Sequence, residues 1–298
     1  MAQAQRRKKH HFLPAFLLRN FAGSDGLVCV YDRERDWQSR ADIPENLARE
    51  KYLYAPGASY ERGRDPKDDA FERWLAEEID GPAASPISRL VAGADVADLT
   101  GDEAHAVADF VALLDMRIPN IRDRLLPQFE AAARSAMSDH KQTRKALKRS
   151  GHEMSLGEIK KSALRHRDKM ASGMAKPAWL DFMKNTRRLA RLNIKHRRWS
   201  MVDTPAGQEF CTSDLCSVKA ISTLLEPVGW EPGTATWRSH WLIPLSPLRA
   251  LAITPPEWPG ALPASKPLVQ AINRQFFRDA QRYVYARSEM DLANLLGP

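Results

Sequence analysis

The chain is predicted to fold as an α+β protein, and three observations predict it. Apolar residues at helical spacing alternate with short runs rich in Val, Ile, Tyr and Trp, so both kinds of element are present. Strand-like runs stand near both ends, at Leu27–Tyr31 and Tyr283–Ala286, so N- and C-terminal segments are expected to build one small, mainly antiparallel sheet. Between them, residues 120–200 are helical in pattern and strongly basic, which marks a separate helical lobe. Because both ends share the sheet, residues 1–298 read as a single domain with 120–200 as a lobe or insertion within it.

Phe12–Phe21 reads as a short helix with Pro14 near its start and Gly23 beyond its end. Leu27–Tyr31 then leads, through the charged Asp32–Asp36, into a hairpin. Residues 42–65 are rich in turn formers, with Tyr52 and Tyr54 as anchors. A helix is expected over 66–80, with Asp65 as N-cap, Pro66 at its first position, and Gly81 as its stop. Its apolar stripe is Phe71, Trp74, Leu75 and Ile79, and regular α-helical spacing puts Glu78 in the middle of that stripe. Thr100-Gly101-Asp102-Glu103 is a capping box that opens a helix over 101–119, with Val107, Phe110, Val111, Leu114 and Ile118 inward. Pro119 ends or kinks that helix, and Asp115 and Arg117 fall on the shoulders of its stripe.

Residues 120–200 divide into two or three helices near Gly151 and Gly173. The last is expected to begin around Pro177, with Trp179, Phe182, Met183, Thr186, Leu189 and Ala190 inward. From Trp199 onward Pro, Gly and Ser bound short runs at Phe210–Thr212, Trp237–Pro244 and Ala250–Thr254, which read as strands. A proline-rich loop follows at Pro255–Pro267, then an amphipathic helix over 266–280.

Composition bounds the function. With 298 residues, 43% of them hydrophobic, the chain buries enough surface to need neither disulfide nor structural metal. Three cysteines with no Cys-x-x-Cys suit a reducing compartment, and no run is long and apolar enough for a membrane span or a secretory leader. The protein is therefore expected to be cytoplasmic. The net charge of +8 is unevenly placed: Arg6–Lys9 is wholly basic, and residues 134–200 hold 19 Lys plus Arg against five acids. The remainder is acidic. Such a surface attracts polyanions. No phosphate-binding glycine loop, dinucleotide fingerprint, nucleophile elbow or His-Glu-x-x-His motif is present.

Several short motifs occur in a characteristic order: Lys8-Lys9-His10-His11-Phe12-Leu13-Pro14, Phe16–Phe21, Gly26–Tyr31 and Arg117-Ile118-Pro119. Phe210–Asp214, Ile243–Pro247, Asn273 and Arg282–Tyr285 complete the series. This pattern resembles the bacterial domain-of-unknown-function family 4238, over nearly the whole chain except the basic middle. The resemblance implies a fold and a candidate site but no reaction. Leu215 and Cys216 stand where that family usually carries a small polar residue and Pro.

Polar residues set against the apolar pattern are the candidates for chemistry, because their burial costs free energy unless something pairs with them. His10, Glu78 and Asp214 are candidate ligands for a divalent Mg²⁺, Mn²⁺ or Zn²⁺ ion. His11 is a candidate base, Arg117 a phosphate or carboxylate clamp, and Asn273 an orienting amide. Each has a structural alternative: imidazole packing on Tyr or Trp, a Glu78–Arg117 pair, turn chemistry at Thr212-Ser213-Asp214, and a tied loop carbonyl at Asn273. Lys8, Lys9, Arg187, Arg188, Arg191, Lys195 and Arg198 are candidate contacts for a DNA or RNA backbone. Three functional readings follow: a metal-dependent nuclease or phosphodiesterase-like enzyme, a non-enzymatic nucleic-acid-binding or regulatory protein, and a protein-interaction module.

Overall fold

A computed structural model describes residues 8–57, 65, 67–138, 140–149, 151, 154–221, 239–257 and 265–296. Arg6, Arg7, Pro66, Trp237 and residues 258–264 of the proline-rich loop lie outside the described residues.

In chain order, β1 (Lys9–His11) passes through Pro14 into the five-residue helix α1 (Ala15–Arg19), shorter than its pattern implies. The hairpin β2 (Val28–Asp32) and β3 (Gln38–Asp42) follows, and β4 (Arg49–Lys51) returns to pair with β1. The turn-rich segment therefore contains a strand that its composition conceals.

The helix expected over 66–80 begins later and does not stop at Gly81. α2 (Ala70–Leu75), a π turn (Ala76–Asp80) and α3 (Gly81–Val91) form one continuous run. Asp65 and Asp68 instead cap single turns, accepting from the N–H groups of Lys67 and Ala70 at 2.8 and 3.0 Å. Pro82 explains the wide turn, because its ring would strike the Glu78 carbonyl in regular α geometry and it offers no N–H. The chain loosens one step earlier, and the Gly81 N–H reaches back to the Ala76 carbonyl. Glycine is required there, since a Cβ would lie 2.9 Å from that same oxygen.

α4 (Gly101–Leu114) opens with the expected capping box, Thr100 and Glu103 each satisfying the other's backbone N–H. It ends one turn before α5 (Pro119–Ser138), since Pro119 cannot continue the hydrogen-bond ladder, and Arg117 falls in the break. α6 (His140–Arg149) and α7 (Leu156–Lys195) follow, parted near Gly151, whose φ is +79°. Gly173 and Pro177 do not interrupt α7, which runs for 40 residues. Trp179 and Met183 on it are buried as expected, but Phe182 and Leu189 are 36% and 69% exposed and so are not core residues.

Two four-stranded antiparallel sheets complete the α+β fold. β5 (Arg198–Asp203), β6 (Thr212–Ser213), β7 (Val218–Ile221), β8 (Ser239–Pro244) and β9 (Arg249–Thr254) precede α8 (Lys266–Asp279). β10 (Tyr283–Ala286) and α9 (Leu292–Leu296) close the described chain. One sheet has the order β3-β2-β10-β6, so N- and C-terminal segments do share it; the other has the order β5-β9-β8-β7. α8 packs Val269, Ile272 and Phe276 into a core with Tyr31 and Val284 of the first sheet. A larger core joins α1, α3, α4 and α7 around Leu17, Ile87, Phe110 and Trp179. Among the described residues, no helix is long and apolar enough to cross a membrane.

Candidate functional site

The polar residues brought together lie where β1, the π turn and the α4–α5 break meet. Strand alternation turns His10 inward and leaves His11 half-buried. The His10 ring stacks on Tyr54 with centroids 5.8 Å apart, and its Nδ1 accepts the Tyr54 N–H at 3.0 Å. The His11 Nε2 lies 3.3 Å from the Glu45 carbonyl, and its backbone N–H donates to Glu72 Oε1 at 3.4 Å. Burial holds the His11 imidazole below its ordinary pKa, with Arg49 and Arg117 acting in the same direction and the Glu45 carbonyl and Asp80 opposing them.

Arg117 is completely buried. Its Nη1 donates to Asp80 Oδ1 at 2.8 Å, and its guanidinium carbon sits 5.3 Å from the Phe110 ring centroid. The Tyr54 hydroxyl is 3.2 Å from both the His11 and the Arg117 carbonyls and donates between them, tying β1 to the helix break. Nε and Nη2 of Arg117 have no hydrogen-bond partner among the described residues. These two atoms form one edge of the guanidinium, the edge that grips an oxyanion in bidentate fashion. Elsewhere in the molecule that edge is filled: Arg282 places it on both oxygens of Asp32, each at 3.1 Å, and Arg249 places it on Asp203.

The π turn decides which acid serves Arg117. Regular spacing would make Glu78 the inward carboxylate, but the wider turn leaves Glu78 exposed and delivers Asp80. The Gly81-Pro82 pair is the local signal for this irregularity.

The other expected ligands are occupied in building the fold. Asp214 is buried and accepts three backbone N–H groups, those of Gln281, Arg282 and Tyr283, at 2.9, 2.6 and 2.9 Å. Burial pushes its carboxyl above the ordinary range against the pull of those donors. Ser213 Oγ accepts the Leu215 N–H at 3.1 Å, and Cys216 adopts φ +63° beyond it, so Thr212-Ser213-Asp214 performs turn chemistry. The Asn273 amide accepts the Cys211 N–H at 3.0 Å and donates to the Glu209 carbonyl at 2.8 Å, which ties a loop. Among the described residues no three His, Cys, Asp or Glu side chains are placed to hold a metal ion. His10, Glu78 and Asp214 therefore do not form the donor set expected of them.

The basic residues divide into two groups. Arg187 and Arg191 face the body, 3.7 and 3.0 Å from Asp109 of α4, and Lys195 meets His105. The Lys184 ammonium lies over Phe71 and Trp74 at 5.4 and 5.0 Å. Lys8, Lys9, Lys195, Arg188 and Arg198 are exposed. On α6, Arg144, Lys145, Lys148 and Arg149 are also exposed, two pairs at i, i+4 on one side of a helix that contains no acid. Composition marks the region as a whole, but the spacing within α6 is the sharper signal.

The fold and this cluster define an α+β protein with an arginine-centred polar site and a basic helical surface. Residues 9–290 match the model of the family described as "Protein of unknown function (DUF4238)", and the chain belongs to that family. No curated protein and no solved structure matches it.

Proposed function

We propose that the protein is a nucleic-acid-binding protein that holds a phosphate backbone on the exposed basic side of α6, with the inward polar residues forming a structural network. The observation that carries this reading is the acid-free run of exposed Arg144, Lys145, Lys148 and Arg149. Such a face binds by counterion release, so affinity for labelled duplex or single strand falls steeply with salt. In fluorescence anisotropy, Arg144→Glu with Lys148→Glu is expected to weaken binding at least tenfold and to flatten the salt slope by about 1 for each phosphate no longer held. Arg188→Glu on α7 is expected to add to this. Undiminished binding by the charge-reversed variant, or none by the wild type at low salt, rejects the reading.

A nuclease or phosphodiesterase-like activity is the second reading, favoured by one observation: the vacant Nε and Nη2 edge of Arg117 beside the half-buried His11. It is tested by incubating DNA and RNA with the protein and Mg²⁺, Mn²⁺ or Zn²⁺, with chelator as control. Cleavage that His11→Gln abolishes, in a variant that melts like the wild type, would establish it. Intact substrate in all three metals rejects it.

A further inference from the structure

A cavity of about 550 Å³ opens between the β2–β3 turn, α8 and α9, and none of its lining residues belongs to the Arg117 cluster or to α6. Its size suits a small organic ligand. Arg33, Trp37, Arg274, Phe277, Arg278 and Leu295 are among its walls, and no carboxylate among the described residues lines it.

The sequence around it is arranged for more than packing. α8 presents Ala271, Arg274, Gln275 and Arg278 at i, i+3, i+4 and i+7, one face of the helix. Arg274 and Arg278 are exposed like charges one turn apart, a mildly unfavourable arrangement that an anion between them would relieve. Arg278 is steadied by Asp279 at 3.0 Å. Arg33 is held by its bond to the Ala280 carbonyl at 2.8 Å, and its guanidinium carbon sits 5.8 Å from the centre of the Trp37 ring. Trp37 itself has φ +59°, directly after Asp36 at φ +54°. A bulky residue rarely adopts that conformation. It is kept there by its N–H bond to the Asp32 carbonyl at 2.9 Å and by an edge contact with Phe277 at 5.1 Å. The indole stays half-buried, a flat apolar wall beside three cations.

We propose that this cavity binds a nucleotide unit, with the base stacked on Trp37 and the phosphate charge shared by Arg33, Arg274 and Arg278. Aromatic stacking accepts any base, while the arginines require the phosphate. The same chemistry is offered by a free nucleotide and by a nucleotide within a single strand. Only the single-strand source rests on the nucleic-acid reading above.

The full chain is titrated calorimetrically with the four nucleoside monophosphates, adenosine alone, inorganic phosphate alone and a ten-residue oligothymidylate. At least one monophosphate is expected to bind saturably, at least tenfold tighter than adenosine or phosphate. Trp37→Gly, whose backbone suits the positive φ, and Arg274→Glu, on the exposed face of α8, are each expected to weaken it at least tenfold, the first in a chain that still unfolds cooperatively and the second while melting like the wild type. Arg144→Glu with Lys148→Glu should leave it unchanged. An oligonucleotide that binds at least tenfold tighter than the monophosphates, and loses that affinity in both cavity variants, identifies the strand as the source; no such gain identifies the free nucleotide. The proposal is overturned if nothing saturates up to about 1 mM, if phosphate alone binds as well as the nucleotide, or if the cavity variants bind normally. Loss of α6-dependent binding with nucleotide binding intact rejects only the earlier reading, and the converse rejects only this one.

Discussion

Arg117 and Asp80 are joined by a single hydrogen bond of 2.8 Å, from a guanidinium with no exposure to a carboxylate that is 21% exposed. Removing the carboxylate leaves a buried cation with no counter-charge, whereas removing the arginine leaves an acid that water can still reach. Asp80→Ala is therefore expected to cost about 3 kcal/mol, the lower end for breaking such a pair because Asp80 is partly solvated. Arg117→Met should cost less. Urea midpoints for the two variants and their combination test the asymmetry, and a costlier Arg117→Met would contradict it.

Gly81 sits at the point where the π turn returns to α geometry, and a methyl group there would press on the Ala76 carbonyl. Gly81→Ala is expected to destabilise by about 1 to 3 kcal/mol through overpacking. Pro82→Ala removes the reason for the wide turn. Combined with Gly81→Ala, it should recover part of the loss by letting the run become a regular helix. Thermal melts of the three variants decide whether the proline imposes the turn.

His11 and His240 are both held below the usual imidazole pKa, in each case by burial first. As pH falls through about 6.5, the unfolded chain takes up protons that the folded chain resists. Stability is therefore full above that pH and declines as acidification proceeds toward the lowered folded-state values. Denaturant midpoints between pH 7.5 and 5 should show this loss. His11→Gln with His240→Gln should flatten the profile in that window, and an unchanged slope would mean other groups carry it.

Asp214 satisfies three N–H groups at the entry to β10 with a single buried carboxylate. Asp214→Ala is expected to cost about 2 kcal/mol by removing three hydrogen bonds to a charged acceptor at once. With its oxygens so engaged, adding Mg²⁺, Mn²⁺, Zn²⁺ or a chelator should not move the wild-type melting temperature. A metal-dependent rise that the variant loses would return Asp214 to the role of ligand.

Legibility followed the range of the interaction. The capping box of α4 could be read because Thr100 and Glu103 recognise each other within one turn, and β2, α8 and β10 because their apolar periods are clean. Glu78 was misplaced because helical spacing assumes 3.6 residues per turn, and one proline altered the count just beyond it. α7 runs through Gly173 and Pro177 because packing against α4 and α5 outweighs two local breakers. The roles of Arg187 and Arg191 depended on Asp109, about eighty residues earlier, and sequence alone carries no sign of that meeting.

β10 lies between β2 and β6, with Tyr285 opposite Val30, and Arg282 grips Asp32 across the same seam. On the ribosome, β2 must wait while about 250 further residues are made before its neighbour β10 is synthesised. Until then β2 has an open edge, able to pair with whatever strand it meets. Synthesis of this protein thus has a vulnerable interval that ends only when β10 leaves the exit tunnel, and a chain cut short before Tyr283 would remain in it.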